Sequence, residues 1–221
     1  MASSVSSEAT TLMDVVSHLG LRMTLKAGQV LFREGDESNA VYAVISGRIR
    51  ISMATPVGRE VILGIKVPGQ VFGELSALDR LRRSATAAAT ETTILAQLRG
   101  DVFLDEVSRT PALASLVIRD LSGQLRRANE RIATRDTENT TVRVGHLLVE
   151  LVEKFRRHAT TSGPITLPIT QDELAAWVGS TREATARSLA TYRRHGLIET
   201  GRQKITVLDV LQLSKAILAL S

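Results

Sequence analysis

Two short amphipathic segments joined at one glycine constrain this chain more than anything else in it: Ile169-Thr-Gln-Asp-Glu-Leu-Ala-Ala-Trp-Val-Gly-Ser-Thr-Arg-Glu-Ala-Thr-Ala-Arg-Ser-Leu189. Leu174, Val178 and Leu189 are apolar anchors, Ala175 is small where two crossing helices must approach, and Gly179 suits the turn. Ser180 or Thr181 is a good N-cap for the second helix. Arg182, Glu183 and Arg187 then lie near the N-terminal end of that helix. In a helix-turn-helix this end meets base edges in the major groove of double-stranded DNA. An arginine grips guanine O6 and N7 bidentately, and a glutamate accepts from cytosine N4. The same residues also read as a solvent-facing helix in which Glu183 and Arg187 pair at i,i+4.

Charge is placed to suit the DNA reading. The net charge is +5, but residues 1–110 carry 12 basic and 12 acidic side chains, whereas residues 141–221 carry 11 basic against 7 acidic. The excess lies with the two-helix segment, as a phosphate-binding surface needs. Aromatics make up 3% of the chain, which argues against single-strand binding by base stacking. There is no cysteine, so disulfides, thiolate zinc sites and cysteine-held iron–sulfur clusters are excluded. No apolar run approaches the roughly 18 residues of a membrane span, and the Ser/Thr-rich start does not read as a signal peptide. A cytoplasmic protein is expected.

From Leu21 to about Arg99 the pattern is strand-like. Val30–Phe32, Ala40–Ile45, Arg48–Ser52, Val61–Ile65 and Thr93–Leu98 are short β-rich runs separated by Gly and Pro turns. This spacing predicts a sandwich or barrel. Asp101–Ser108 reads as a short helix, and Pro111 suits the first turn of a long one. On the long helix Leu113, Val117, Leu121, Leu125, Ala128 and Ile132 recur at three- and four-residue steps, with Arg119, Arg126, Arg127, Glu130 and Arg131 opposite. So narrow a stripe predicts a coiled-coil seam and a homodimer. The alternative is an amphipathic helix lying on its own β-domain. Asp136–Thr141 reads as a polar hinge and Val144–Phe155 as a helix. Gly196–Glu199 and Lys204–Val207 read as a β-wing, with a terminal helix at Val210–Leu220.

A second motif lies in the β-rich half: Val71-Phe-Gly-Glu-Leu-Ser-Ala-Leu-Asp-Arg-Leu-Arg-Arg-Ser-Ala85. Gly73 lets backbone N–H groups approach a ligand closely. Arg83 and Ser84 offer a bidentate cation and a hydroxyl to a phosphodiester. Glu74 can accept from a ribose hydroxyl. Taken singly, each residue also reads as part of a solvated loop.

Here the chain resembles the catabolite-activator (cyclic-AMP receptor) branch of the Crp/Fnr superfamily of transcription regulators. The resemblance rests on Val30-Leu-Phe-Arg-Glu-Gly-Asp through Val41-Tyr-Ala-Val-Ile-Ser-Gly47, on the segment from Val71 to Ala85, and on Ser180-Thr-Arg-Glu-Ala-Thr-Ala-Arg187. It covers roughly Leu21 to Val207. It implies an α+β chain: a mobile N-terminal tail (1–20), a cyclic-nucleotide-binding β-roll or jelly roll (21–110) and a dimerisation helix (111–135). A hinge (136–141) and a winged helix-turn-helix (142–221) follow, and the usual N-terminal helix looks abbreviated. It also implies cyclic AMP as effector, with Gly73 and Glu74 on the ribose and Arg83 and Ser84 on the phosphate. Leu75 and Ser76 complete the segment. Arg182, Glu183 and Arg187 become base readers of a TGTGA-like inverted repeat, Thr170 and Thr181 phosphate contacts, and RNA polymerase a partner.

The chain departs from the family pattern in places. Counted back from Arg143, the adenine-contacting pair falls on Ala128-Asn129; Asn129 keeps a hydrogen-bonding side chain and Ala128 does not. That weakens discrimination among cyclic nucleotides. The insert before Arg83 is one residue shorter than in the best-known member. A regulator that ignores nucleotides, or senses another ligand, fits the same DNA half. A haem sensor does not, because His18, His146, His158 and His195 all lie outside the β-roll strands. A nucleotide module regulating an enzyme or channel would need a further domain, and no catalytic motif or metal-ligand cluster is read; no metal, haem or iron–sulfur cluster and no enzyme activity are expected.

Overall fold

The computed structural model describes residues 11–56, 58, 60–135, 139–156 and 163–220. The fold is α+β, and the chain divides into two compact units with the boundary between Arg126 and Arg127; Ala54–Ile62 are grouped with the second.

The first unit holds two four-stranded sheets. One runs β1 (Leu21–Leu25), β8 (Thr93–Arg99), β3 (Ala40–Ser46), β6 (Val71–Phe72); the other runs β2 (Val30–Phe32), β7 (Thr86–Ala89), β4 (Ile49–Ala54), β5 (Glu60–Lys66). Strand β3 pairs antiparallel with β8, Val41 opposite Leu98 and Ala43 opposite Ala96. Its near-continuous apolar run has a physical reason. Tyr42 and Val44 point between the sheets with Leu25, Ile49, Phe72, Ala87 and Leu95. Val41 and Ala43 point the other way, into a cluster with Leu98 of β8 and with Val16, Ala77, Phe103 and Val117 from the covering helices. A strand buried on both faces loses its alternation. Phe103, fully buried in α3 (Gly100–Arg109), stabilises that second layer by about 2–3 kcal/mol.

Two expectations are corrected in this unit. Residues 12–19 are not tail: α1 (Leu12–Leu19) opens on a Thr11/Asp14 capping box and buries Val15 and Val16. Residues 1–10 lie outside the described residues. Strands β1, β6 and β7 also escape sequence reading, and β7, Thr-Ala-Ala-Ala, has little strand propensity of its own. It pairs with β4 and β2 because its alanines fill the space between the sheets.

The long helix α4 (Pro111–Arg135) divides its apolar stripe. Leu113 and Val117 are buried, and Leu121 packs partly on the same cluster as Val117. This half of the stripe serves its own β-domain, and the seam read through Leu113 and Val117 is corrected accordingly. Ile118, Leu125 and Ile132 instead stand 65%, 62% and 71% exposed at seven-residue intervals.

The second unit is a winged helix-turn-helix: α5 (Thr140–Arg156), β9 (Ile165–Leu167), α6 (Gln171–Val178), α7 (Arg182–Arg194), β10 (Ile198–Gly201), β11 (Lys204–Val207) and α8 (Val210–Leu220). The three strands form an antiparallel sheet ordered β10-β11-β9. Asn139 Oδ1 accepts from Val142 N at 3.0 Å, so Thr140 and Thr141 already belong to α5 and leave the expected hinge; Asp136–Glu138 lie outside the described residues. Gly145 lets α5 approach its neighbours closely. A Cβ there would sit 2.4 Å from Tyr192 Oη and 2.5 Å from Ile217 Cγ1. Tyr192 Oη donates to Thr141 O at 2.7 Å, which ties α7 to α5.

Candidate nucleotide cleft and nucleic-acid interface

The cleft of the first unit is built where β6 ends. Gly73 takes a left-handed conformation (φ 78°), turning the chain from Phe72 into the six-residue helix α2 (Glu74–Asp79), which Arg80 closes, also left-handed. A Cβ on Gly73 would lie 2.6 Å from Arg83 Nη1, so the glycine also makes room for the guanidinium. Arg83 is only 4% exposed. Its Nη1 donates to Gly73 O at 2.9 Å and its Nη2 to Ala40 O at 2.7 Å. The guanidinium lies 4.0 Å over the Phe32 ring and 5.5 Å from that of Tyr42. Its Nε is buried without a hydrogen-bond partner. Burial pulls the Arg83 pKa down, while Tyr42, Glu74 and Asp36 push it back up. The backbone around it is laced to the loop before β3: Arg83 N donates to Asp36 O and Gly35 N to Arg83 O.

Glu74 is also buried, and its Oε1 accepts from Gln124 Nε2 at 3.1 Å. Gln124 stands on α4, fifty residues along the chain, and no local pattern marks it. Gly73, Glu74, Leu75, Ser76, Arg83 and Ser84, six of the residues read from sequence, line one cleft with a cavity volume of about 70 Å³. Ser84 is exposed, whereas Ser76 is buried with its hydroxyl turned 3.4 Å from Arg82 O. Asn129, the seventh, is exposed on α4 and is not among the lining residues. Sequence reading missed Gln124 and Lys66 in this cleft, along with the aromatic bed that Phe32 and Tyr42 make under Arg83, with Phe72 stacked on Tyr42.

The interface of the second unit rests on two capped helices. Thr170 caps α6 in a reciprocal box with Glu173. Gly179 turns left-handed (φ 64°) after Val178, and Thr181 caps α7 by accepting from Ala184 N at 3.2 Å. Leu174, Ala175, Thr185, Ser188 and Leu189 are buried, which leaves Arg182, Glu183 and Arg187 exposed together at the start of α7. Arg182 Nε lies 3.3 Å from Asp172 Oδ1, a pairing exposed to solvent. The Thr170 hydroxyl is occupied from both sides, donating to Glu173 Oε2 at 3.0 Å and accepting from Glu173 N at 3.1 Å. The Thr181 hydroxyl accepts but keeps its proton for another acceptor. Among the described residues no His, Asp or Glu cluster could hold a metal ion, and no helix is long and apolar enough to cross a membrane.

Comparison with known proteins gives two matches that tile most of the chain. Residues 22–110 match the cyclic nucleotide-binding domain family, and residues 142–216 match the Crp-like helix-turn-helix domain family. The chain is 28% identical over 188 residues to a CRP-like cAMP-activated global transcriptional regulator of Mycobacterium tuberculosis, covering 85% of this chain and 84% of the relative. It is 31% identical, at the same coverage, to a cyclic AMP receptor protein of Thermus thermophilus. Among solved structures, a CRP/FNR-family transcriptional regulator from Thermus thermophilus superposes with a TM-score of 0.70 at 28% identity, covering 91% of this chain and all of that one.

Proposed function

The chain belongs to the Crp/Fnr family of DNA-binding transcription regulators, and from that premise we propose that it acts as a homodimer whose grip on an inverted-repeat DNA site is set by a cyclic nucleotide in the β-roll. The observation that carries the ligand half is the convergence of Gly73, Glu74, Arg83 and Ser84 on one cleft. Arg83 is already held by two carbonyls over an aromatic bed, with one buried N–H still unpaired. A phosphodiester oxygen would satisfy that donor at little ordering cost. Glu74 would exchange the Gln124 amide for a ribose hydroxyl.

That exchange supplies the switch. A ligand shifts a conformational equilibrium only through contacts that differ between states. Opening the Glu74–Gln124 bond is such a contact, and it reaches α4 directly. Asn129, on the same helix, is assigned to the base across the dimer. Two relatives carry cyclic AMP in their names. The phosphate and ribose contacts are common to all 3′,5′-cyclic nucleotides, so cyclic AMP is the reference ligand for a titration.

In the DNA half, Arg182, Glu183 and Arg187 read a TGTGA-like half-site. Arg182 exchanges Asp172 for DNA, the Thr181 hydroxyl donates to a phosphate, and Thr170 acts through the start of the helix it caps. Ile118, Leu125 and Ile132 make the seam with the partner's α4 and hold two recognition helices about one DNA turn apart. Bound at a promoter in the cytoplasm, the dimer acts through RNA polymerase. The test is to titrate the purified protein onto a TGTGA inverted repeat and a scrambled duplex at fixed salt, without ligand and with cyclic AMP or cyclic GMP. Selective tightening by a cyclic nucleotide is expected. Selective binding that ignores both would overturn the sensing half and keep the DNA half.

A further inference from the structure

The wall of the β-roll cleft carries one side chain that neither phosphate nor ribose explains. Phe32, Ile51, Phe72 and Ala85 make that wall apolar, and Lys66, at the end of β5, interrupts it. Lys66 is half-buried, and its Nζ donates to Val71 O at 3.0 Å. A backbone carbonyl is a neutral partner, and among the described residues no carboxylate pairs with this ammonium. Glu74, the one acid lining the cleft among the described residues, is engaged by Gln124. A half-buried cation on an apolar wall without a counter-charge is unfavourable unless something rich in acceptors comes to it.

We infer that Lys66 reads the base of the bound nucleotide and selects guanine, a 6-oxopurine, over adenine. The inference rests on the cleft being the cyclic-nucleotide site. An ammonium donates and never accepts. Guanine presents two acceptors on one edge, O6 and N7. Adenine presents N7 beside the N6 amino group, a donor that would face a donor. With the phosphate on Arg83 and the ribose on Glu74, the base is left to the remaining wall, where Lys66 is the one ionic group among the described residues. The phosphate end treats both nucleotides alike, and the Asn129 amide both donates and accepts and so suits either purine; discrimination falls to Lys66.

Calorimetric titration of the full-length protein with cyclic GMP, cyclic IMP and cyclic AMP tests this. Cyclic IMP carries O6 without the 2-amino group of guanine. Both 6-oxopurines are expected to bind about tenfold tighter than cyclic AMP. Lys66→Met keeps the aliphatic stem and should shrink that ratio to about twofold or less, with cyclic AMP affinity little changed. The wild-type ratio is decisive even without the variant: cyclic AMP binding as tightly as cyclic GMP overturns the inference. A Lys66→Met loss equal for all three nucleotides also overturns it, and makes Lys66 a phosphate contact. If none of the three binds the wild type, the nucleotide reading of the cleft fails with it; a cyclic AMP preference overturns the role of Lys66 alone.

Discussion

Gly145→Ala sets two effects of known size against each other. In an isolated helix the change is favourable, because alanine outranks glycine by about 1 kcal/mol. In α5 the new Cβ would lie 2.4 Å from Tyr192 Oη, 2.5 Å from Ile217 Cγ1 and 2.8 Å from Ile217 Cδ1. Neither neighbour is free to swing away, since Tyr192 is 1% and Ile217 2% exposed. Overpacking of this kind costs about 1–3 kcal/mol. If Tyr192 yields, its bond to Thr141 O is lost and a buried hydroxyl goes unpaired, for about 1–3 kcal/mol more. The helix gain is outweighed, and with both costs present a net destabilisation of about 1–5 kcal/mol is expected. The chain has one tryptophan, Trp177 on α6, so its fluorescence in a urea titration follows the second unit alone. Tyr192→Phe in the Gly145→Ala background removes one of the clashing atoms and should recover part of the loss. Equal or higher stability for Gly145→Ala would refute the reasoning, because the close approach would then not be tight.

Four further outcomes follow from the same geometry. Arg187→Ala should cost about 1–3 kcal/mol on the preferred duplex and relax choice at one base pair in a binding-site selection; a uniform loss on all duplexes would make Arg187 a phosphate contact. Arg83→Ala leaves Gly73 O and Ala40 O without their donors and should abolish the nucleotide response while basal DNA binding persists; a normal response would exclude this cleft as the sensor. Leu125→Lys puts a charge in the middle of the exposed seven-residue stripe and should shift sedimentation toward monomer, whereas an unchanged dimer would place the interface elsewhere. Burial raises the Tyr192 pKa from its ordinary value near 10 to about 12. The unfolded chain therefore loses that proton first, so stability of the second unit should be level below pH 10 and fall between pH 10 and 12. Tyr192→Phe should flatten that fall in urea titrations followed by Trp177, and an equally steep decline in the variant would count against Tyr192 as its source.

Much of this protein is legible along the chain because its signals are local. The N-cap read at Ser180 or Thr181 (Thr181 in the structure), the Gly179 turn and the helix Val210–Leu220 each depend on neighbours within about one helical turn, and the structure places all three where spacing predicts. The five strand runs read in the β-roll are of the same kind. Tertiary structure alone decided which half of the α4 stripe turns inward: Leu113 and Val117 are buried, while Leu125 and Ile132, equally apolar, stand exposed. It decided that Leu12–Leu19 folds, since Val16 needs Val41 and Phe103 beside it. It also brought Gln124 to Glu74 and Lys66 into the cleft wall, across tens of residues with no shared pattern. Periodicity and caps state which face of an element is apolar and where it stops. Which surface meets that face depends on packing between elements far apart in the chain, and no window of sequence contains both partners.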